Sequence, residues 1–317
     1  MMPLHLLTGF LGSGKTTLLR RVLADPAMAD TAVIVNEFGE IGLDHHLVTP
    51  LTEAVLLLNS GCLCCSIRQD LARGLRGLLA QRQNGTLPAF ARIVLETTGL
   101  ADPGPILATL AANPLIAGLI RLGAIVTTVD GLHGERQLDE RIEPLRQAAV
   151  ADRLIVTKSD LASPAAIARL AARLRRINPQ APIEDAVAAP PAPAMLFAEP
   201  PATPRSLPVL PESLDHGHDH RIRSVGLESE RPLDWHRTID WLDQLTDAEG
   251  DRILRCKGIL DIAGQDRPVA IHGVHHNFYP PTLLERWPGP RRSQLVFILQ
   301  DWPDAELAGG LAACAAG

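Results

Sequence analysis

The sequence has no long run of basic residues and no excess of positive charge. Its 317 residues carry 30 lysines and arginines against 36 aspartates and glutamates, which gives a formal net charge of −6. Proteins that bind nucleic acid concentrate lysine and arginine on one face or along one segment, because phosphate contacts dominate their affinity. This chain lacks that electrostatic footprint, so we do not expect nucleic acid among its partners.

Long apolar segments are missing as well. No stretch approaches the roughly 18 consecutive apolar residues that a membrane-spanning helix needs, and no charged-then-apolar leader precedes Pro3. These absences predict a soluble, cytoplasmic protein with no membrane partner.

Cysteine is scarce, with five in the chain. Because cytosolic reductants keep thiols reduced, we expect these cysteines to be free thiols or metal ligands rather than disulfides.

What the chain does have, close to its start, is a glycine-rich run that reads GFLGSGKT from Gly9 to Thr16. The run stands between an apolar segment, Pro3 to Leu7, and a segment with helical character. Glycines at this spacing let backbone N–H groups turn toward phosphate oxygens, and the helix N-terminus adds a positive dipole. In such a loop Lys15 reaches the β- and γ-phosphates and Thr16 ligates Mg²⁺. The run therefore predicts a nucleoside triphosphate site.

The first part of the chain alternates short apolar runs with longer helical segments, which is typical of a parallel sheet wound by crossover helices. Such a sheet is covered on both faces, so its strands are nearly all apolar. A helix from Ser66 to Gln83, with Ser66 as its N-cap, follows the third strand. The predicted fold class is α/β, a P-loop NTPase parallel sheet with helices on both faces. We predict its strands at Leu4–Leu7, Thr31–Val35, Val55–Leu58, Ile93–Glu96, Ala124–Val129 and Leu154–Thr157.

Composition divides the chain into three regions. Residues 1–185 form the predicted nucleotide domain, and residues 186–221 form a linker rich in proline and alanine. Eight prolines between Pro190 and Pro211 favour extended polyproline conformations, which cannot make a packed core. After residue 221 the pattern changes to alternating strands with one helix near Asp234–Leu245. We therefore predict a smaller C-terminal α+β domain over residues 222–317.

Two polar segments close predicted strands of the sheet. Glu96-Thr97-Thr98-Gly99 offers a carboxylate for Mg²⁺ and a glycine N–H that can reach the γ-phosphate. In Thr157-Lys158-Ser159-Asp160, the Asp160 carboxylate can accept hydrogen bonds from guanine N1–H and its exocyclic amine, while the Lys158 stem covers the ring. Adenine has no such pair of donors, so the second segment favours GTP over ATP. The alternatives are an ordinary strand end for the first segment and a helix-capping aspartate for the second.

An acidic, glycine-rich segment from Asn36 to Asp44 follows the second predicted strand. It is our candidate for a first switch, which Mg²⁺ and the γ-phosphate would order. Glu37 would approach the magnesium shell, and Glu40 would face the thiols described next. A solvated acidic loop is the alternative interpretation for either residue alone.

Three cysteines, Cys62, Cys64 and Cys65, fall between a buried strand and the helix that follows it. A helix N-terminus lowers thiol pKa values, and neighbouring thiolates repel one another unless a cation neutralises them, so we expect Zn²⁺ there. A closed structural site needs a fourth ligand, which Glu40, water or a partner would supply, whereas an open site suits metal transfer. The alternatives are Cu(I) and three buried or redox-active thiols.

A short histidine cluster, His216, His218 and His220, alternates with aspartates at the end of the linker. Its imidazole and carboxylate groups could gather Zn²⁺, Co²⁺ or Ni²⁺ weakly. A hydrophilic hinge between the two domains explains the cluster equally well.

Together these motifs resemble the CobW-like P-loop GTPases, a family of which many members are regarded as metallochaperones or metal-insertion factors. The cysteine motif is the most specific mark of the resemblance, which covers nearly the whole chain. The motifs that stand in the family's order are Gly9–Thr17, Asn36–Gly39, Cys62–Cys65, Glu96–Gly99 and Thr157–Asp160. The stretches similar to the family's C-terminal domain are Arg255–Leu260, Ile271–His276 and Arg291–Ile298.

The resemblance implies GTP hydrolysis with Mg²⁺, handling of Zn²⁺ or Co²⁺, and a client metalloprotein as partner. No arginine finger is evident, so we expect slow hydrolysis until a client, or a second copy of the chain in a homodimer, completes the site. The residues assigned to GTP and GDP binding are Gly9, Gly12, Ser13, Gly14, Lys15, Thr16, Thr17, Gly99, Thr157, Lys158 and Asp160. Those assigned to catalysis are Lys15, Thr16 and Glu96, and those assigned to metal binding are Cys62, Cys64, Cys65, Glu40, Thr16 and Glu37.

Two other functions remain open at this point. One is a nucleotide-regulated zinc sensor or buffering module that signals without delivering metal. The other is a small-molecule kinase that uses the same phosphate loop, although Asp160 and the thiol cluster would then have no purpose.

Overall fold

The structure is a computed structural model that describes residues 1–37, 55–59, 65–113, 116, 118–198, 222–302 and 305–316. Side chains are described in these ranges except at residues 36, 37, 55–59, 65–70, 111, 112, 305 and 306. The chain divides into two compact units, Met1–Arg173 with Ala181–Pro200 and Leu174–Gln180 with Pro201–Gly317. Within the described ranges, no helix combines the length and the apolar character needed to cross a bilayer.

The sheet of the first unit is entirely parallel. Its strands are β1 (Met2–Gly9), β2 (Thr31–Glu37), β3 (Val55–Asn59), β4 (Arg92–Glu96), β5 (Ile120–Asp130), β6 (Arg153–Thr157) and β7 (Ile183–Asp185). They are hydrogen-bonded in the order β3-β2-β4-β1-β5-β6-β7. β1 is buried from Leu4 to Gly9, because helices cover both faces of a parallel sheet. The six predicted strands are present, and the α/β fold class is confirmed.

Helices follow the strands of this sheet. They are α1 (Lys15–Leu23), α2 (Cys65–Gln83), α3 (Pro103–Ala112), α4 (Gly134–Glu140), α5 (Ile142–Val150), α6 (Pro164–Ile177) and α7 (Pro193–Leu196). Asp102 caps α3 by accepting a hydrogen bond from the N–H of Gly104 at 3.0 Å, and Pro103 occupies the first helical position. The predicted N-cap of α2 is wrong: the helix begins at Cys65, so Ser66 lies inside the first turn and not at the flanking cap position.

The first residues of the predicted linker pack with the first unit. Residues 186–198 belong to the first unit, and its apolar core includes Ala186, Leu196 and Phe197. The ring centroid of Phe197 lies 5.3 Å from that of His5 on β1. The prolines of this segment suggested an extended chain. Pro193 nevertheless begins α7, because proline is compatible with the first position of a helix.

The second unit is built on an antiparallel sheet. Its strands are β8 (Ile222–Ser229), β9 (Ile253–Leu260), β10 (Val269–Val274), β11 (Asn277–Phe278), β12 (Thr282–Leu283) and β13 (Ser293–Gln300), and its helices are α8 (Trp235–Glu249) and α9 (Ala305–Ala313). The strand order is β11-β10-β9-β13-β8, and β12 pairs with β10. Leu242 of α8 and Leu311 of α9 share one apolar core with Cys256 and Phe297 of the sheet. The α+β class predicted for this part of the chain is confirmed.

Candidate functional site

The phosphate-loop sequence forms the turn between β1 and α1. Gly9, Gly12 and Gly14 all have positive φ, which side chains adopt rarely. At Gly9 a Cβ atom would lie 2.3 Å from Thr128 Oγ1 and 2.7 Å from Ser13 Oγ. Only glycine fits there, so the end of β1 can pack tightly against β5. Of the predicted loop residues, Ser13 is fully buried and Thr17 is exposed on α1.

The ammonium group of Lys15 turns back onto the loop that precedes it. Its Nζ donates to the carbonyl oxygens of Gly9 at 2.9 Å and Phe10 at 3.2 Å. Lys15 is the first residue of α1, so its positive charge stands at the positive end of the helix dipole. The loop, the helix N-terminus and the lysine therefore concentrate positive potential at one point, which suits an anion such as a phosphate group.

Thr16 and Glu96 come together although they are far apart in sequence. The Thr16 hydroxyl donates to Glu96 Oε1 at 2.6 Å, and Glu96 is almost completely buried at the end of β4. β4 lies beside β1 in the sheet, with Glu96 paired to Leu7, so the start of α1 and the end of β4 meet at one edge. A hydroxyl and a carboxylate oxygen are ligands that Mg²⁺ prefers, and the pair fits that ion.

Gly99 packs against the backbone of the phosphate loop. A Cβ atom at Gly99 would lie 2.6 Å from the Leu11 nitrogen, so no other residue fits without displacing the loop. Gln147 on α5 is fully buried, and its Nε2 donates to the carbonyl oxygens of Gly99 at 3.2 Å and Ala101 at 3.0 Å. The segment after β4 is thus held between the phosphate loop and α5.

Buried hydroxyl groups connect the strand ends beneath the loop. Ser13 Oγ lies 2.7 Å from Thr128 Oγ1, and Thr97 Oγ1 donates to Thr8 Oγ1 at 2.8 Å. Thr157 Oγ1 donates to the Ser13 carbonyl at 2.8 Å, which ties the end of β6 to the phosphate loop. The predicted site residue Thr157 therefore contacts the loop directly through its hydroxyl group.

The segment Lys158–Asp160 turns away from the end of β6. Lys158 has φ 53°, in the left-handed region, and its Nζ donates to Asp130 Oδ2 at 2.7 Å. Ser159 Oγ donates to Asp185 Oδ1 at 2.7 Å. Asp160, the residue predicted to read the base, is exposed.

The carboxyl groups of Asp130 and Asp185 both favour the ionised form. Burial raises the pKa of Asp130, but hydrogen bonds from Lys158 Nζ and the N–H groups of His133 and Leu132 outweigh it and lower that pKa below its usual value. The pKa of Asp185 is lowered in the same way: burial opposes the shift, and hydrogen bonds from Ser159 Oγ and two backbone N–H groups produce it. Two anions therefore stand beside the segment Lys158–Asp160 at neutral pH.

The predicted metal ligands fall almost entirely outside the described residues. Cys62, Cys64 and Glu40 lie there, as do His216, His218 and His220, and for Cys65 and Glu37 only the backbone is described. Cys65 begins α2 and Glu37 ends β2. Among the residues with described side chains, no group of three or more His, Cys, Asp or Glu residues could hold a metal ion.

The two other cysteines are poor candidates for metal ligands. Cys256 and Cys314 are buried free thiols in the second unit. Burial raises the pKa of both thiols, so they stay protonated at neutral pH, whereas a metal binds the thiolate.

Sequence comparison matches each part of the chain to a known family. Residues 3–185 match the CobW/HypB/UreG nucleotide-binding domain, and residues 222–315 match the cobalamin synthesis protein CobW C-terminal domain. The chain belongs to the CobW-like family of P-loop GTPases. The resemblance inferred from the motifs is therefore confirmed.

Individual CobW-like proteins are similar over different lengths. The zinc chaperone YjiA of Escherichia coli is 32% identical over 311 residues, covering 97% of this chain and 96% of its own length. The zinc-regulated GTPase metalloprotein activator 1 of Schizosaccharomyces pombe is 36% identical over 183 residues, covering 56% of this chain and 43% of its own length. A crystal structure of Zn(II)-bound YjiA GTPase from E. coli superposes with a TM-score of 0.76 at 27% identity, covering 99% of both chains.

Sequence reasoning missed the residues of this CobW-like site that lie outside its motifs. Asp130, Gln147 and Thr128 have no local motif around them. For Asp130 a signal was available: it closes a buried strand of the parallel sheet, as Glu96 and Thr157 do. For Gln147 there was none, since one glutamine in an amphipathic helix gives no sign that its side chain is buried.

Proposed function

We propose that this protein is a GTP-hydrolysing metallochaperone that binds Zn²⁺ at Cys62, Cys64 and Cys65 and passes it to a client metalloprotein according to nucleotide state. The observation that carries the proposal is the 2.6 Å contact between Thr16 and Glu96. The contact joins the helix that follows the phosphate loop to the end of β4. Residues at that strand end would contact the magnesium ion and the γ-phosphate of a bound nucleotide.

The nucleotide would lie along the carboxyl edge of the parallel sheet. The loop N–H groups and Lys15 would bind the phosphates, and Thr16 with Glu96 would hold Mg²⁺, which neutralises charge on the phosphoryl group when bound. Asp160 would accept hydrogen bonds from guanine N1–H and its exocyclic amine. Hydrolysis would remain slow in the isolated protein, because a client or a second copy of the chain would complete the site.

The cargo follows from the donor set and from the relatives. Thiolates close to a helix N-terminus suit Zn²⁺, and α2 begins at Cys65, the last residue of the cysteine motif. YjiA is named a zinc chaperone, and the S. pombe relative is named a zinc-regulated GTPase metalloprotein activator. These names support zinc as cargo and a metalloprotein as client. Co²⁺ is the second candidate cargo.

Sheet topology supports coupling between nucleotide and metal. Val35 of β2 pairs with Glu96 of β4, and Glu37 of β2 pairs with Asn59 of β3. β2 and β3 therefore end at the edge of the sheet where Glu96 lies, and in the sequence Glu40 follows β2 and the cysteine motif follows β3. A γ-phosphate that orders the segment after β2 would therefore change Zn²⁺ affinity, and Zn²⁺ would change GTP affinity by the same factor.

A competitive Zn²⁺ titration of the reduced full chain under anaerobic conditions tests this proposal. It is run with GDP, with a non-hydrolysable GTP analogue and without nucleotide. We expect the Kd for zinc to differ by about tenfold between the two nucleotide states, a typical coupling factor. Zinc binding that ignores nucleotide would contradict the coupling and point to a structural site, and the absence of tight zinc binding would contradict the assignment of zinc as cargo.

Cysteine variants locate the site in the same assay. Cys64→Ala should weaken zinc binding and leave GDP binding nearly intact, whereas Cys256→Ala, in the core of the second unit, should leave zinc affinity unchanged. Equal loss of zinc and GDP binding in Cys64→Ala would indicate a folding defect instead of a lost ligand.

Metal transfer separates a chaperone from a nucleotide-regulated zinc sensor. The zinc-loaded protein is mixed with a chelating dye as acceptor, with GTP, with GDP or with a non-hydrolysable GTP analogue. A chaperone should release zinc to the dye faster while GTP turns over. Release that is no faster during GTP turnover than with a non-hydrolysable GTP analogue would favour a nucleotide-regulated sensor or buffering module.

A further inference from the structure

Two aspartates hold the segment Lys158–Asp160 in place. We call it the base-reading segment, because Asp160 is the residue predicted to contact the base. Lys158, Ser159 and Asp160 follow one another at the end of β6, and the first two are each bonded to a carboxylate from a neighbouring strand end. We infer that Asp130 and Asp185 are positioning residues for guanine recognition, which fix Lys158 and Ser159 so that the Asp160 carboxylate meets the base in one orientation. This inference rests on the proposed GTP function.

The carboxylate of Asp130 is buried and held by three hydrogen bonds. It is 1% exposed at the end of β5, and three groups donate to its carboxylate: Lys158 Nζ at 2.7 Å and the N–H groups of Leu132 and His133, each at 2.9 Å. The two backbone bonds fix the carboxylate relative to the turn after β5, so it cannot follow the lysine if the lysine moves. A further bond, from the N–H of Gly131 to the Thr157 carbonyl at 2.7 Å, holds the same turn against β6.

Lys158 gains both its backbone conformation and its side-chain direction from this anchor. A non-glycine residue with φ 53° is strained, and a strained conformation persists when surrounding contacts determine it. With its ammonium group bonded to Asp130, the flexible four-carbon stem has a fixed end. A fixed stem presents a flat apolar surface, which is what a purine ring requires of the residue beside it.

Asp185 performs the same task on Ser159. Its Oδ1 accepts hydrogen bonds from Ser159 Oγ at 2.7 Å and from the N–H groups of Val187 and Ala188 at 2.8 and 2.9 Å. The base-reading segment is thereby tied to the turn after β7. Anchors at residues 158 and 159 leave Asp160, the next residue, exposed for contact with a ligand.

The inference is tested by comparing GDP with IDP, whose base differs from guanine in lacking the exocyclic amine. The ratio of the Kd for IDP to the Kd for GDP reports how well Asp160 meets that amine, and it is insensitive to phosphate binding. For the full-length protein, measured by isothermal titration calorimetry, we expect a ratio of about ten, the size of one charge-assisted hydrogen bond. Asp130→Asn and Asp185→Asn should each reduce the ratio to about two to three, because the carboxylate of Asp160 is then poorly oriented.

Asp139→Asn is the matched control. Asp139 is an exposed aspartate on α4 that pairs with Arg173, and this variant should keep the wild-type ratio. Lys158→Met tests the contact with Asp130 from its other side, and it is available if Asp130→Asn fails to fold. Adding Asp130→Asn to Lys158→Met should lower the ratio no further, because both changes break one contact.

Three results would overturn the inference. A wild-type ratio retained in Asp130→Asn, Asp185→Asn and Lys158→Met would show that the anchors do not position Asp160. Equal weakening of GDP and IDP binding in these variants would assign them a purely structural role. A wild-type protein that binds GDP no more tightly than IDP and ADP would contradict guanine recognition itself, and with it the proposed GTP function.

Discussion

Thr16 donates its hydroxyl hydrogen to Glu96 Oε1 at 2.6 Å, although the two residues are 80 positions apart in the chain. The contact arises because β4 is the parallel neighbour of β1, so the residue that ends β4 meets the helix that follows β1. It brings a hydroxyl and a carboxylate together beside Lys15. This arrangement makes the first step of the proposed mechanism, magnesium binding, directly testable.

Thr16→Ala should impair magnesium-dependent GTP hydrolysis. The variant removes a hydroxyl ligand and leaves the Glu96 carboxylate in place, so it requires more Mg²⁺ to reach a given rate. We expect hydrolysis to fall by about 10²-fold at limiting Mg²⁺, the usual effect of removing one preorganised electrostatic contact. The measurement is initial phosphate release as a function of Mg²⁺ concentration. The control is Thr86→Ala, at an exposed threonine in the loop after α2, and a Mg²⁺ dependence of Thr16→Ala that matches this control would contradict the assignment.

Gly99→Ala should displace the phosphate loop and slow GTP hydrolysis. The new Cβ would lie 2.6 Å from the Leu11 nitrogen and 2.7 Å from the Leu11 Cα, and backbone atoms cannot move away as a flexible side chain can. The displaced loop should lower GTP hydrolysis by about 10²-fold, as a shift of about 1 Å at a reacting site commonly does. Phosphate release under saturating GTP is the readout.

Gly77→Ala is the matched control for this substitution. Gly77 lies within α2, and a Cβ there meets no atom within 4 Å. Alanine in a helix interior should stabilise the protein by about 0.5–1 kcal/mol and leave hydrolysis unchanged. Full activity in Gly99→Ala would show that the phosphate loop tolerates displacement at Leu11.

Thr157→Val should weaken nucleotide binding through the phosphate loop. Valine keeps the shape of threonine but removes the donor to the Ser13 carbonyl, so the loop loses its connection to β6. We expect stability to fall by about 1 kcal/mol, the typical net value of one buried hydrogen bond. The Kd for GDP should rise by about three- to tenfold, and fluorescence titration with a labelled GDP measures it.

A second buried threonine separates the effect on binding from the effect on stability. Thr109 Oγ1 donates to the Pro105 carbonyl inside α3, so Thr109→Val removes a bond of the same kind away from the phosphate loop. It should lower the melting temperature to a similar extent without changing the Kd for GDP. Equal Kd values for the two variants would show that the bond from Thr157 contributes to stability alone.

Continuous patterns allowed most of the first unit to be predicted from sequence. Strands of a parallel sheet are nearly all apolar, and the phosphate loop is contiguous in the chain, so each could be recognised from a short window. The strand β7 was missed because it has three residues and none of them is fully buried. The helix α7 was missed because the prolines around it suggested extended chain, whereas Leu196 is fully buried in the core.

The contacts within the candidate site could not be predicted from the same windows. Asp130 and Lys158 are 28 residues apart, and Gln147 and Gly99 are 48 residues apart. Such pairs depend on the tertiary structure: the strand order places β5 beside β6, and the Gln147 side chain of α5 bonds to the segment after β4. Apolar periodicity identifies strands and helices but does not encode their order in the sheet. For this reason the motif residues were predicted and the residues that hold them were not.

The pH dependence of stability should report on His5, a buried histidine of β1. Burial, with the charges of Arg92 and Arg121, lowers the pKa of His5 to about 4, and Asp152 opposes the shift only partly. The neutral ring accepts a hydrogen bond from the N–H of Ala124 at 3.0 Å through Nδ1.

In the unfolded chain the pKa of His5 returns to about 6.5, so between pH 6.5 and 4 the unfolded state binds more protons than the native state. The contribution of His5 is fully present above pH 6.5 and is lost as the pH falls, by about 3 kcal/mol at pH 4. His5→Asn keeps an acceptor near the position of Nδ1 but cannot titrate, so its free energy of unfolding, measured by urea denaturation, should vary less with pH over this window. A His5→Asn slope equal to the wild-type slope would contradict the assignment.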